Sequence, residues 1–291
     1  VLKIRHIAKP KNVSRNYMSE PQELERPFFS DIEKLFSEYV EYYGGKVVDK
    51  LEENKTDRQN ADFLFEKPEI VAELKTFEKD IFSEPEDFPR IMDLLDKWIE
   101  KGLMTKEDLK EYTFRGKQLP QKCIEDWVER ASKTIERAIY KANKQIDETK
   151  KTFNKENANG IVFLINDGNY FFTNQGFLAV ICNLIGRKFK ESSFDVIIYL
   201  TINQVTHKEG SELDHNIWVP IYTKVDDNGE TIVSDELHSF VNDFGERFLN
   251  DFLTSKTGHE PKEFTQIESL EESIEEFKRH KFIPKNVIYK K

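Results

Sequence analysis

Asp62, Glu73 and Lys75 are residues whose types and spacing could do chemistry. Glu73 and Lys75 lie two apart in Val71-Ala72-Glu73-Leu74-Lys75-Thr76, inside a run, Glu69 to Phe77, that reads as a strand. Side chains alternate along a strand, so Glu73 and Lys75 share one face and Leu74 takes the other. Asp62 opens a preceding strand, Ala61 to Phe65, and Lys67-Pro68 supplies the turn between the two, since proline presets the backbone angle. The hairpin sets Asp62 beside the Glu73 and Lys75 pair. Two carboxylates and an ammonium on one sheet face suit a divalent-metal site, because Mg²⁺ takes one or two carboxylates with water and a substrate phosphate. The lysine would sit beside the attacking water or hydroxide and stabilise it, while the metal lowers that water's pKa. Ordinary strand charges are the plain alternative.

The elements that must position these residues follow from periodicity. Phe28 to Tyr43 carries apolar residues at helical spacing and is stopped by Gly44-Gly45. Lys46 to Leu51 reads as a short strand, followed by the polar loop Glu52 to Asn60. Pro85, Pro89 and Pro120 then break the rhythm around two short helices, Asp87 to Lys101 and Thr105 to Tyr112. Residues 78–120 read as an insertion on the main sheet, because about 40 residues rarely support a core alone. A long helix, Pro120 to Phe153, precedes the strand Gly160 to Asn166, the helix Asn174 to Lys190 and the strand Phe194 to Ile202. Residues 203–234 are turn-rich, with one strand at Ile217 to Thr223. Two amphipathic helices close the chain. Leu237, Phe240, Val241, Phe244, Phe248 and Phe252 line one; Ile267, Leu270, Ile274 and Phe277 line the other, with Ser269 and Glu272 placed for a capping box.

With Asp62 eleven residues before Glu73-x-Lys75, on a hairpin within the order helix, three strands, helix, strand, the chain resembles the PD-(D/E)xK, or restriction-endonuclease-like, nuclease superfamily. Ala61 stands where the motif often has proline. The resemblance covers about residues 28–202. It implies an α/β fold with a mixed central sheet flanked by helices, carrying the 78–120 helical insertion and a C-terminal extension over 203–291. Residues 1–291 would then form a single domain. It also implies that Asp62 and Glu73 hold Mg²⁺ (or Mn²⁺), that Lys75 assists the nucleophile, and that the substrate is a DNA phosphodiester; RNA would need the same metal chemistry. Restriction, phage defence and repair are compatible settings. Related nucleases often place a further glutamate on the first helix. Of Glu33, Glu38 and Glu41, Glu33 lies nearest the apolar stripe, at about 90° from its centre; it completes the metal shell or merely solvates the helix flank. Such nucleases also use a glutamine or lysine of the long helix near the metal, which makes Gln145 and Lys141 candidates.

On the long helix, Arg130, Lys133, Arg137, Lys141 and Lys144 project into an arc of roughly 80°. Glutamates collect on the neighbouring arc. That strip suits a phosphate backbone, or else is a solvated face with pairs four apart such as Glu129 to Lys133. It matters because the net charge of −10 argues against a generic polyanion binder. The basic ends, Lys3, Arg5, Lys9, Lys11 and Arg15 at the start and Lys278, Arg279, Lys281, Lys285, Lys290 and Lys291 at the finish, read as solvated tails or nucleic-acid arms. No apolar stretch is long enough to span a membrane, and no secretory signal is apparent, so a cytoplasmic location is expected. Cys123 and Cys182 lack metal-site spacing, and Cys182 reads as core. His207, Asp214 and His215 read as loop residues, and Asn166-Asp167-Gly168 as a turn or a feature of the site mouth. A homodimer or a partner subunit stays open. The competing functional reading is a non-catalytic nucleic-acid-binding or assembly protein that keeps the nuclease fold.

Overall fold

A computed structural model describes residues 2–8, 29–51, 60–78, 88–169, 172–203, 205–208, 213–226, 231–258, 263–267, 272 and 280–283. In chain order the elements are β1 (Leu2–Ala8), α1 (Ile32–Tyr43), β2 (Lys46–Val47), β3 (Phe63–Glu66) and β4 (Glu69–Phe77). Next come α2 (Phe88–Glu100), α3 (Lys106–Arg115), α4 (Gln121–Thr152), β5 (Asn159–Asn166), α5 (Asn174–Lys188) and β6 (Val196–Thr201). The last are β7 (Val205–Lys208), β8 (Leu213–Tyr222), α6 (Asp235–Arg247), a π-helical stretch (Phe248–Phe252), α7 (Leu253–Thr257), β9 (Glu263–Ile267) and β10 (His280–Ile283).

The strands form one mixed sheet in the order β10-β7-β8-β6-β5-β4-β3-β2, with β1 pairing β8 and β9. Among the described residues the parallel pairings are β4 with β5 and β5 with β6. Their near-continuous apolar runs follow from burial on both faces, the usual state of parallel strands. The crossover from β4 to β5 ends in α4, and α5 joins β5 to β6. Both pack on one face, where Val71, Val162, Leu164 and Ile197 meet Ile139 and Ala142 of α4 and Ile181 of α5. The opposite face, with Ala72, Leu74, Phe163 and Ile198, is covered by Phe36 and Val40 of α1 and Phe244 of α6. Asp31 caps α1 by accepting from the Lys34 backbone N–H at 2.8 Å, and Gly44, at φ 98°, ends it.

The insertion helices build a small core of their own. Leu94, Leu95, Trp98 and Met104 pack with Cys123 and Trp127 on the first turns of α4. Trp98 Nε1 donates to Asp126 at 2.7 Å, tying α2 to the same helix. The described part of the 78–120 segment, α2 and α3, therefore packs against α4.

Several sequence expectations need correction. Lys46 to Leu51 is a two-residue strand followed by a 3₁₀ turn at Val48–Lys50. Leu2–Ala8 is a sheet strand rather than a tail, which places Lys3 and Arg5 in β1. Lys281 is likewise in β10. Lys9, Lys11, Arg15, Lys278, Arg279, Lys285, Lys290 and Lys291 lie outside the described residues. Residues 203–234 hold β7 as well as a longer β8, so His207, Asp214 and His215 are strand residues. Ile267 ends β9, not a helix; Glu272 is helical, and Ser269, Leu270, Ile274 and Phe277 lie outside the described residues. Cys182 is exposed on α5 instead of buried.

Gly245 shows how closely α6 approaches the sheet. A Cβ there would sit 2.5 Å from the ring of Trp218, which is fully buried. Alanine in a helix interior is ordinarily favoured over glycine by about 1 kcal/mol. Overpacking costs about 1–3 kcal/mol, so the contact outweighs the propensity. Gly245→Ala is expected to lower the urea midpoint and to perturb Trp218 fluorescence; an unchanged or raised midpoint would mean α6 sits farther from Trp218.

Candidate active site

The β3–β4 register sets Phe63 against Ala72 and so carries Asp62 to Glu73. The Asp62 backbone N–H donates to Glu73 Oε2 at 3.1 Å, and Asp62 Oδ2 accepts from the Leu74 N–H at 2.8 Å. The Asp62 carbonyl accepts from Val48 N–H at 2.8 Å. Three backbone bonds thus fix a residue that lies just outside β3. Glu73 is 1% exposed and Asp62 half-buried. Lys75 Nζ donates to Glu73 Oε1 and, at 3.0 Å, to Gln145 Oε1. Gln145 is itself buried and donates from Nε2 to the Asn60 carbonyl at 2.9 Å. One turn later, Thr149 Oγ1 accepts from the Ala61 N–H at 2.6 Å. Through this pair α4 grips the two residues immediately before Asp62.

The electrostatics follow from this crowding. Burial, followed by the charge of Asp62, pushes the Glu73 carboxyl up to about 8 from its ordinary value of 4.5; the Lys75 ammonium opposes this without overcoming it. Burial also raises Asp62, against the bond from the Leu74 N–H and the charge of Lys75. Two partly desolvated carboxylates, one of which raises the other's proton affinity, form a donor set a divalent cation would relieve. Among the described residues no group of three or more His, Cys, Asp or Glu converges as a metal cluster. Two carboxylates are nevertheless enough for Mg²⁺, whose remaining positions go to water and substrate oxygens.

The candidates from sequence divide clearly. Asp62, Glu73, Lys75 and Gln145 meet in one constellation. Glu33 is not bonded into it: α1 covers the sheet face opposite Glu73 and Lys75, and Glu33 is exposed with no hydrogen bond or ion pair among the described residues. Its charge still reaches Asp62, where it adds to the upward shift. Along α4 the basic strip is partly neutralised. Arg130 pairs with Asp126 at 2.7 Å, while Lys133 with Glu129 and Lys144 with Glu148 are looser at 3.5 Å. Arg137 and Lys141 are exposed, with no acidic partner among the described residues. Asn166 serves the turn it belongs to, its Oδ1 accepting from Asn169 N–H at 2.9 Å, and Asp167 accepts from Asn203 Nδ2 at 2.7 Å. Sequence reasoning missed Thr149 and the Asn60 carbonyl. The available signal was Thr149 standing four residues after Gln145 on one helix flank.

Compared with family models, with curated proteins and with solved structures, the chain has no match in any of the three.

Because the folded protein binds a proton at Glu73 more tightly than the unfolded chain does, stability without metal is highest below about pH 4.5 as far as this group is concerned. It declines as pH rises towards about 8. Urea denaturation in EDTA should therefore show a loss of stability over that window in the wild type and a flatter profile in Glu73→Gln. Parallel profiles for the two proteins would show that Glu73 titrates normally.

Proposed function

We propose that this protein is a nuclease of the PD-(D/E)xK type, hydrolysing DNA phosphodiester bonds with Mg²⁺ or Mn²⁺. The observation that carries the reading is the buried constellation of Asp62, Glu73 and Lys75 on one hairpin, with Gln145 of α4 holding the lysine. Asp62 and Glu73 would hold the ion. When bound, it supplies Lewis-acid stabilisation of the phosphate and lowers the pKa of a nearby water.

The chain's own residues supply the rest. Lys75 presents its ammonium on the sheet face of Glu73, where it stabilises negative charge on the nucleophile and on the phosphate oxygens as attack proceeds. Gln145 is a positioning residue: its amide spans from Asn60 to Lys75 and fixes where the ammonium sits. Asp62 is fixed by backbone bonds, so its carboxylate is oriented before substrate arrives, which avoids reorganisation during the reaction. Arg137 and Lys141, exposed cations of α4 that pair with no acid among the described residues, suit phosphates flanking the scissile one. They offset the repulsion that a chain of net charge −10 presents to a polyanion.

One observation favours a second reading, a nucleic-acid-binding or assembly protein that keeps the site without using it. Lys75 is already engaged by both Glu73 and Gln145. That protein would bind nucleic acid with or without metal and would cut nothing.

Plasmid and linear DNA incubated with Mg²⁺ or Mn²⁺ separate the two. Cleavage is expected for the wild type and not in EDTA. Asp62→Ala and Lys75→Ala should each reduce it by at least about 10²-fold, the scale of losing a transition-state donor. Gln145→Ala should lower kcat more than it raises KM, with Gln145→Glu retaining more activity than Gln145→Ala. Equal cleavage by the Asp62 and Lys75 variants would overturn the assignment.

A further inference from the structure

Tyr140 stands on the outer side of α4 and is 67% exposed. Among the described residues no aromatic ring, hydrogen bond or ion pair engages it. A lone exposed ring is ordinary on a protein surface; the company of this one is not. Arg137 lies three residues before it, Lys141 directly after it and Lys144 four after it, so the ring stands among three cations of α4. The nearby carboxylates are already taken. Glu136 is held by Lys188 of α5, Asp147 by Lys151 at 2.6 Å, and Glu148 by Lys144 at 3.5 Å. Arg137 and Lys141 are left uncompensated.

The order around the helix is equally informative. At about 100° per residue, Lys141 lies about 40° from Gln145, Arg137 about 80°, Lys144 about 100° and Tyr140 about 140°. Gln145 touches Lys75. A track therefore runs from an exposed ring, over cations, to the flank of α4 that meets the candidate active site.

We infer that this face of α4 docks a single strand of nucleic acid, with phosphates on Arg137, Lys141 and Lys144 and an unpaired base stacked on Tyr140. The inference rests on the nuclease reading only for why the strand is led toward Lys75. Charge complementarity alone would accept a duplex as well. The ring makes the distinction, because stacked and paired bases inside a duplex cannot offer it a face, whereas every unpaired base can. DNA and RNA strands share this chemistry.

The test is fluorescence anisotropy of the full chain in EDTA, where nothing is cut. The probes are labelled oligothymidylate, oligouridylate and a mixed-sequence DNA duplex. At least one single strand should bind more tightly than the duplex, and which one does identifies the polymer. Tyr140→Ala should weaken that binding about tenfold, leave duplex binding unchanged, and be rescued by Tyr140→Phe. The double variant Arg137→Ala, Lys141→Ala should weaken every probe and flatten the single-strand salt slope by about 1.4, two contacts at about 0.7 each. Full single-strand affinity in Tyr140→Ala, an equal loss on duplex, a preference for duplex, or no binding at all would overturn the inference. Its failure is separable from that of the nuclease reading. A chain that cuts DNA through Asp62 but ignores Tyr140 sinks only this inference; one that binds strands through Tyr140 but cuts nothing sinks only the other.

Discussion

A carboxylate 1% exposed on a central strand is the constraint from which the rest of the arrangement follows. Glu73 is shut off from solvent on a strand whose Val71, Ala72 and Leu74 are also buried, where an unpaired charge would cost several kcal/mol. The fold answers with the Lys75 ammonium, the Asp62 backbone N–H and a proton affinity raised toward neutral pH. None of these would be needed if the position held leucine, and replacing a buried ion pair by apolar residues is often neutral or stabilising. A sheet that keeps Glu73, Asp62 and Lys75 together gives up stability at that spot, which is where function is ordinarily found.

The same constraint explains why α4 matters more than its length suggests. Its inner flank does two jobs at once: Ile139, Ala142 and Ile146 fill the core, while Gln145 and Thr149 bond to Lys75 and to the backbone at Asn60 and Ala61. Misplacing α4 would therefore loosen both the lysine and the segment that carries Asp62. The insertion helices brace the first turns of that helix through Trp98 and Asp126. Meanwhile α1 and α6 close the far side of the sheet with aromatic rings packed at tilted angles, among them Phe36, Tyr39 and Phe244, and supply no bonded member of the constellation.

What could be read from the sequence was what depends on local periodicity. Glu69–Phe77 is a strand over the expected span because its short, largely apolar run and the Lys67-Pro68 turn are both local. The meeting of Asp62 with Glu73 follows from the same hairpin, and Gln145 borders the buried stripe of α4 as its projection requires. What escaped depends on distant partners. Leu2–Ala8 is a strand because it pairs with Leu213–Trp218, a fact that no property of seven N-terminal residues reveals. The placing of Glu33, outside the bonded constellation although its charge reaches Asp62, was hidden for a related reason. A helical projection tells how a residue stands to its own apolar stripe, but not which face of the sheet that stripe covers.

The central claim is that Asp62 and Glu73 form a divalent-cation site with Lys75 beside it. The most direct measurement is a crystal structure after soaking in Mn²⁺, with anomalous diffraction locating the ion. The account predicts an anomalous peak shared by the Asp62 and Glu73 carboxylates, with Lys75 still bonded to Gln145. Crystals saturated with Mn²⁺ that show no ion there, and Glu73 still bonded to Lys75 and the Asp62 N–H, would contradict it.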